Sequence, residues 1–389
     1  MAAAFVLFHP RVLLSRIWRA TVTPLASIIG SGFLVLAPIL VREYGHNALW
    51  VMGALCAVSY AIGAAIRWNI RVLDGDAGLL PLLTREAALE RISSWALSLS
   101  YVISVCYYLT LFGAFSVSLT ESNDVVSGKL VTSAILILIG AIGWTRGFQG
   151  LESSEILAVG VKLAVITGLL MGMIHYTIGL AHLGLLHQNI AHINWPSVRI
   201  AFGLLITVQG FETSRYLEEK YDARTRIRTM RYAQWLSALI YMTYIGLARV
   251  DFAGGTISQR ETAVIQMTQQ VAPVLPLLLV VAALAAQFSA AVADTNGCGG
   301  LVLEMSGGRL SSRLAYALLV TICLALTWAA NVYQIISYAS RAFALYYGLQ
   351  CALATSLSGR ASGLSPRTLG FALLSALSML IAILGIPAE

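Results

Sequence analysis

The sequence predicts an all-α integral membrane fold of about eleven spanning helices, arranged as a 5+5 inverted repeat with one extra helix. Three observations carry this expectation. Of 389 residues, 58% are hydrophobic and 11% charged, where a soluble domain carries about 25% charged. Apolar runs of spanning length recur from near Trp18 to near Ile386, leaving no stretch long enough for a separate soluble core. Two of those runs are interrupted by glycine at corresponding places of two segments of equal length. The expected organisation is one membrane domain over residues 1–389.

A window of about 19 residues places spans near residues 18–42, 47–68, 94–120, 129–145, 152–174, 200–219, 232–250, 271–296, 313–330, 332–356 and 366–386. The first follows Arg11, Arg16 and Arg19, continues past signal-peptide length and lacks a small-residue cleavage site, so it should remain as a helix. Between the second and third spans, Asp74 to Arg91 joins DGDAG to LLPLLTREAALERI, an amphipathic pattern suited to a short connecting helix on the inner surface. With the N-terminus inside, alternation places eighteen basic residues on the cytoplasmic side and only Arg42, Lys129, Arg199, Arg249 and Arg260 outside. The positive-inside rule then predicts a multi-pass protein of the cell membrane with a cytoplasmic N-terminus and, for an odd number of spans, an outer C-terminus. The net charge of +7 sits in these short loops, so topology accounts for it and a nucleic-acid partner is not implied.

Cys56, Cys106, Cys298, Cys323 and Cys351 all fall inside apolar segments without metal spacing, which indicates packing rather than a disulfide framework or a zinc site. His46, His175, His182, His187 and His192 fall in predicted outer loops and no pair has HxxxH or HExxH spacing, so solvated histidines are expected in preference to a metal site. No HExxH, GxSxG or P-loop pattern suggests an enzyme, and no cofactor is implied.

The first interrupted span reads Ala26-Ser27-Ile28-Ile29-Gly30-Ser31-Gly32-Phe33, and the sixth reads Thr207-Val208-Gln209-Gly210-Phe211-Glu212-Thr213. Spans one to five cover 18–174 and spans six to ten cover 200–356, with opposite orientation; 366–386 is the extra helix. Glycine-broken helices at matching places of two inverted halves point to a transport site near the bilayer midplane. A broken helix leaves backbone groups unpaired, tolerable only beside protein, water or ligand. The N–H groups after Gly30-Ser31-Gly32 would suit a carboxylate, and carbonyls before the breaks would suit an ammonium group.

The stretch Ile28-Ile29-Gly30-Ser31-Gly32-Phe33, followed by Pro38, resembles the first-helix motif of the amino acid–polyamine–organocation (APC) superfamily, whose members have the LeuT-like fold. Gly210-Phe211-Glu212, Leu217-Glu218-Glu219 and the basic run Arg224 to Arg228 are similar to the family's GFE, EE and following basic segment. Gly150-Leu151-Glu152-Ser153-Ser154-Glu155 leading to Val161-Lys162-Leu163 resembles the fifth family helix. By this resemblance the candidate substrate site comprises Ile28, Gly30, Ser31, Gly32, Tyr107, Thr207, Gln209, Gly210 and Glu212.

Lys162 is the most informative single residue, because a charged lysine in a span costs about 2.5–3.5 kcal/mol on insertion scales and calls for a compensating role. Some proton-coupled members of the family carry a lysine here in place of the sodium ion of related symporters. The resemblance therefore implies proton coupling through Lys162 without sodium. Asp294 and Arg341 are the other charges within spans; a permanent ion pair between them competes with a gate or, with Ser289, a cation site. Glu212 has a structural role, holding unwound backbone, as an equal alternative to substrate contact. Tyr101, Tyr107 and Tyr108 supply packing or an aromatic wall, and Glu218, Glu219 and the following arginines form an inner charge cluster. The expected function is secondary active transport of a small amino acid or amine through the lipid bilayer by alternating access, driven by protons. The rival expectations are an inorganic-ion or sodium-coupled carrier on the same fold, and a non-transporting membrane sensor or subunit. The sequence sets no oligomeric state.

Overall fold

The computed structural model describes residues 15–30, 32–74, 82–145, 152–183, 193–218, 220–251 and 262–388, with backbone alone over 152–158. The first span is two helices, α1 (Arg16–Ile28) and α2 (Gly32–Tyr44), bent by 44° at their junction. Spans two to five are α3 (Ala48–Leu73), α4 (Thr84–Val117), α5 (Val125–Thr145) and α6 (Glu152–His182). The sixth is α7 (Trp195–Gly203) followed by two 3-10 turns, Leu205–Val208 and Phe211–Tyr216. There follow α8 (Ala223–Asp251), α9 (Ala263–Val271), α10 (Leu275–Met305), α11 (Ser312–Ala329), α12 (Val332–Ser362) and α13 (Pro366–Leu384). The chain is a multi-pass membrane protein with the 5+5 inverted-repeat fold and broken helices one and six.

Seven helices among the described residues, α3, α4, α5, α6 from Val159, α10, α11 and α13, are individually long and apolar enough to cross a bilayer, and α1 with α2 crosses as a bent pair. The remaining spans, α7 with its turns, α8 and α12, carry polar residues that other helices bury, such as Gln209, Gln234 and Gln350. That is why they are less apolar than the lipid-facing spans. The long helix α4 packs along both α10 and α12 and forms the centre of the bundle, while α8 packs against α1 and α3.

Three expectations need correction. Thr84 to Arg91 is not a separate surface helix but the first two turns of α4, because no glycine or proline interrupts Thr84–Val117 and Glu86 accepts from Leu83 N at 2.9 Å as the helix cap. Glu86 is fully buried there, held by Ser356 at 2.7 Å and by Arg360 from α12. His175 and His182 lie on exposed turns of α6 rather than in a loop, since the helix runs on to His182. The eighth span is preceded by the separate helix α9, because Ala272 is extended (φ −161, ψ 137) and Pro273 and Pro276 prevent one continuous helix. Residues 75–81 of the connector, with His187 and His192, lie outside the described residues.

Candidate functional site

The two breaks touch. A Cβ on Gly32 would lie 2.9 Å from Thr207 Cα, and a Cβ on Gly210 would overlap Ser27, so α2 and the sixth span meet backbone against backbone. Gly210 also has φ 112, in the left-handed region that favours glycine. Tyr241 of α8 joins the two breaks: its hydroxyl lies 2.8 Å from Ile28 O and 2.6 Å from Thr207 O and shares one hydrogen between them.

The backbone of the second break is held by side chains from two further helices and by Glu212 of the break itself. Ser340 of α12 donates to Gly203 O at 2.7 Å and accepts from Ile206 N at 3.0 Å. Ser59 of α3 donates to Val208 O at 3.0 Å. Glu212 accepts from Gly210 N at 2.9 Å and from Tyr347 Oη at 2.8 Å. Such pairing is what unwound backbone in hydrocarbon requires. Replacing Tyr241 by phenylalanine removes the donor at both breaks; we expect a loss of about 1–3 kcal/mol of stability, read as a lowered thermal midpoint in detergent.

Gln209 donates to Tyr108 Oη at 3.1 Å, and the remaining oxygens of Gln209 and Glu212 are buried without a hydrogen-bond partner. Tyr107 lies beside Tyr108 with ring centroids 5.4 Å apart. Gly30 sits 3.9 Å from the Tyr108 ring, measured from an ideal Cβ, and Ser31 lies outside the described residues. Tyr101 instead packs edge-on against Phe343.

Lys162 reaches the first break: Nζ donates to Ala26 O at 2.9 Å. It lines a cavity of about 40 Å³ together with Ser27, Thr213, Ser289 and Asp294. That volume holds a water or two, given about 30 Å³ per molecule in the liquid. Asp294 accepts from Ser104 of α4. It does not pair with Arg341, which donates from Nε to Ala382 O of α13 at 2.7 Å. Arg341 thus satisfies a carbonyl in the last turn of a helix, where the dipole favours a cation.

A second polar cluster joins the ends of several spans. Arg215 bonds Glu90 at 2.8 Å and also Gln350, and Arg226 donates to Arg215 O at 2.7 Å, with Asp74 at 3.2 Å and Glu218 at 3.9 Å. Glu219 lies outside the described residues. Arg226 is 2% exposed, so it ties α8 to the end of the sixth span and of α3 from within. Arg226→Ala is expected to loosen this end and raise the rate at which a thiol reagent labels buried Cys351, next to Gln350.

Sequence reasoning did not single out Ser104, Tyr241 or Tyr347. Ser104 had a signal, since Ser98, Tyr101, Ser104, Tyr107 and Thr110 repeat a hydroxyl every third residue along α4. Tyr241 and Tyr347 had none, because their partners are far away in sequence.

The sequence model of a family described as APC superfamily transporter matches residues 10–385. An uncharacterized protein of Aquifex aeolicus (strain VF5) is 39% identical over 350 residues, 88% of this chain and 84% of that protein. Crystal structures of two single-residue mutants of the Eremococcus coleocola manganese transporter are similar in fold, each with a TM-score of 0.59 at 12% identity. The matches cover 97% and 96% of this chain, and 87% and 86% of those chains.

Proposed function

The chain belongs to the APC superfamily of transporters, and we propose that it carries a small amino acid or related amine by alternating access, coupled to protons through Lys162 and independent of sodium. The observation that carries this reading is the bond from Lys162 Nζ to Ala26 O, one turn from the first break. A charged lysine there stabilises a carbonyl near the end of α1; a neutral lysine holds it less strongly, because hydrogen bonds from charged donors are about twice as strong. Protonation therefore biases the position of α1, the half-helix whose other neighbours at the cavity are Thr213, Ser289 and Asp294. The substrate carboxylate is assigned to the N-terminal end of α2 after Gly30 and Ser31, where peptide dipoles favour an anion. Its ammonium is assigned to the break carbonyls and to Gln209 and Glu212, with Ile28, Gly32, Thr207, Gly210 and Tyr107 shaping the pocket. Rocking of α1–α3 and α7–α8 against the other helices would expose the site to each side in turn. The orientation follows the basic loops, with a cytoplasmic N-terminus in the cell membrane.

An inorganic-cation carrier is the second reading, favoured by the fold shared with manganese transporters and by Asp294 and Ser289 on one cavity. Against it, no group of three His, Cys, Asp or Glu residues with ligand geometry occurs among the described residues, and the first break carries no acid or sulfur ligand. Uptake into proteoliposomes of labelled amino acids and amines, and separately of manganese, separates the readings. Accumulation of an organic substrate under a proton gradient without sodium is the expected result. Accumulation of manganese alone, or a strict sodium requirement, would overturn it.

A further inference from the structure

We propose that the groove between α1 and α8 binds one anionic phospholipid, with the phosphate at Arg228 and an acyl chain along Trp18, Tyr232, Trp235 and Leu239. The inference goes beyond the transport reading and depends on neither the substrate nor the coupling ion.

The groove has a volume of about 440 Å³, against about 40 Å³ for the cavity at Lys162. Ile17, Trp18 and Thr21 of α1 form one wall, and Tyr232, Trp235 and Leu239 of α8 the other. The polar atoms of the first wall are taken up within α1: Thr21 Oγ1 donates to Ile17 O at 2.7 Å, and Ser15 Oγ accepts from Trp18 N at 3.4 Å. That wall therefore presents apolar surface, which suits a hydrocarbon chain. Tyr232, Trp235 and Leu239 are 41%, 55% and 64% exposed, so the groove opens toward lipid. The Trp235 ring stacks on Tyr60 of α3 at 6.3 Å between centroids, which fixes the second wall.

Charge and polarity grade along one stripe of α8. Arg224, Arg228, Tyr232, Trp235 and Leu239 follow one another at helical spacings of three or four residues and share a face. The order from basic through aromatic to aliphatic is the order of a leaflet from headgroup to chain, with aromatic rings at the boundary. From Arg228 to Leu239 the helix rises about 16 Å, close to half of a hydrocarbon core of about 30 Å, so one lipid of a single leaflet fits the stripe. Arg228 is exposed and has no ion-pair partner among the described residues. The described acids nearest to it in the chain, Asp222 and Glu218, lie against Arg16 at 3.5 Å and Arg226 at 3.9 Å. Exposed Arg16, Arg19 and Arg231 add positive charge at the same end. This excess favours a lipid of net negative charge over a zwitterionic one. A lipid seated there touches both walls and holds α1 against α8.

The test uses the full-length protein, delipidated in detergent and given dioleoyl phosphatidylglycerol, dioleoyl phosphatidylcholine or inorganic phosphate. Native mass spectrometry counts the lipid retained, and the thermal midpoint reports its effect on the fold. We expect the wild type to retain one phosphatidylglycerol at about a tenth of the phosphatidylcholine concentration needed, and its midpoint to rise with phosphatidylglycerol alone. Leu239→Trp fills the groove from a position that already faces lipid, and should abolish both retention and the rise while keeping the lipid-free midpoint. Arg228→Gln should weaken phosphatidylglycerol binding about fivefold and leave phosphatidylcholine unchanged. Leu373→Trp, at an exposed position of α13, is the control and should retain the lipid. Equal retention of the two lipids by the wild type, or wild-type retention of phosphatidylglycerol in either groove variant, would overturn the proposal. So would an equal loss in Leu373→Trp, or a rise in midpoint with inorganic phosphate that matches the lipid. If Leu239→Trp lowers the lipid-free midpoint, Arg228→Gln decides, because its readout is the difference between two lipids on one folded protein.

Discussion

Lys162→Ala is expected to reduce proton-driven accumulation about tenfold to a hundredfold while substrate binding in detergent persists. The size follows from losing a charge-assisted hydrogen bond worth about 1.5–3 kcal/mol, at tenfold per 1.36 kcal/mol. The bond in question runs from Nζ to Ala26 O and not to any group of the substrate pocket, so the loss should fall on coupling rather than affinity. Lys162→Arg keeps the charge and the donor but cannot lose its proton, and should bind substrate yet fail to accumulate it. Isotope counterflow and gradient-driven uptake, measured on the same vesicles, separate the two effects. Accumulation in Lys162→Ala with an unchanged dependence on pH would remove Lys162 from the mechanism.

Gly210→Ala is expected to give the largest structural loss. An L side chain in the left-handed region costs about 1–2 kcal/mol, and overlap with a packed neighbour adds about 1–3 kcal/mol. Gly210 has both problems, with φ 112 and Ser27 where the methyl would stand. Relief would require α1 to move away from the sixth span, which separates the two breaks. Binding and transport should be lost together, with a lowered thermal midpoint. Gly370, whose Cβ would meet nothing within 4 Å, is the control: Gly370→Ala should leave the midpoint unchanged or slightly raised. A Gly210→Ala protein with wild-type midpoint and transport would show that close contact of the breaks is dispensable.

The spans and both breaks were legible in the sequence because hydrophobic length and glycine are local signals. Gly30-Ser31-Gly32 and Gln209-Gly210 interrupt apolar runs; α1 ends at Ile28 beside its glycines, while α7 already ends at Gly203 and 3-10 turns flank Gln209-Gly210. Thr84 to Arg91 was misread because amphipathic residues at the end of a buried helix look like a surface helix; what decides is Arg360, 274 residues away from its partner Glu86. The partner of Lys162 was equally hidden, since a backbone carbonyl leaves no mark in composition. Charge alone left a pairing of Asp294 with Arg341 open beside a gate or a cation site; the fold instead gives Asp294 the hydroxyl of Ser104 and Arg341 the carbonyl of Ala382. Arg341 lies against α13, the helix outside the two repeats, so no inference from the repeat could have placed it.

In the proposed transport cycle, protonation at Lys162 drives substrate movement. The most direct measurement follows internal pH and labelled substrate together in sodium-free proteoliposomes holding wild-type or Lys162→Ala protein. Adding substrate outside should acidify the wild-type interior in step with uptake, and should neither acidify nor accumulate in Lys162→Ala. Substrate accumulation in the wild type with no change of internal pH would contradict the account.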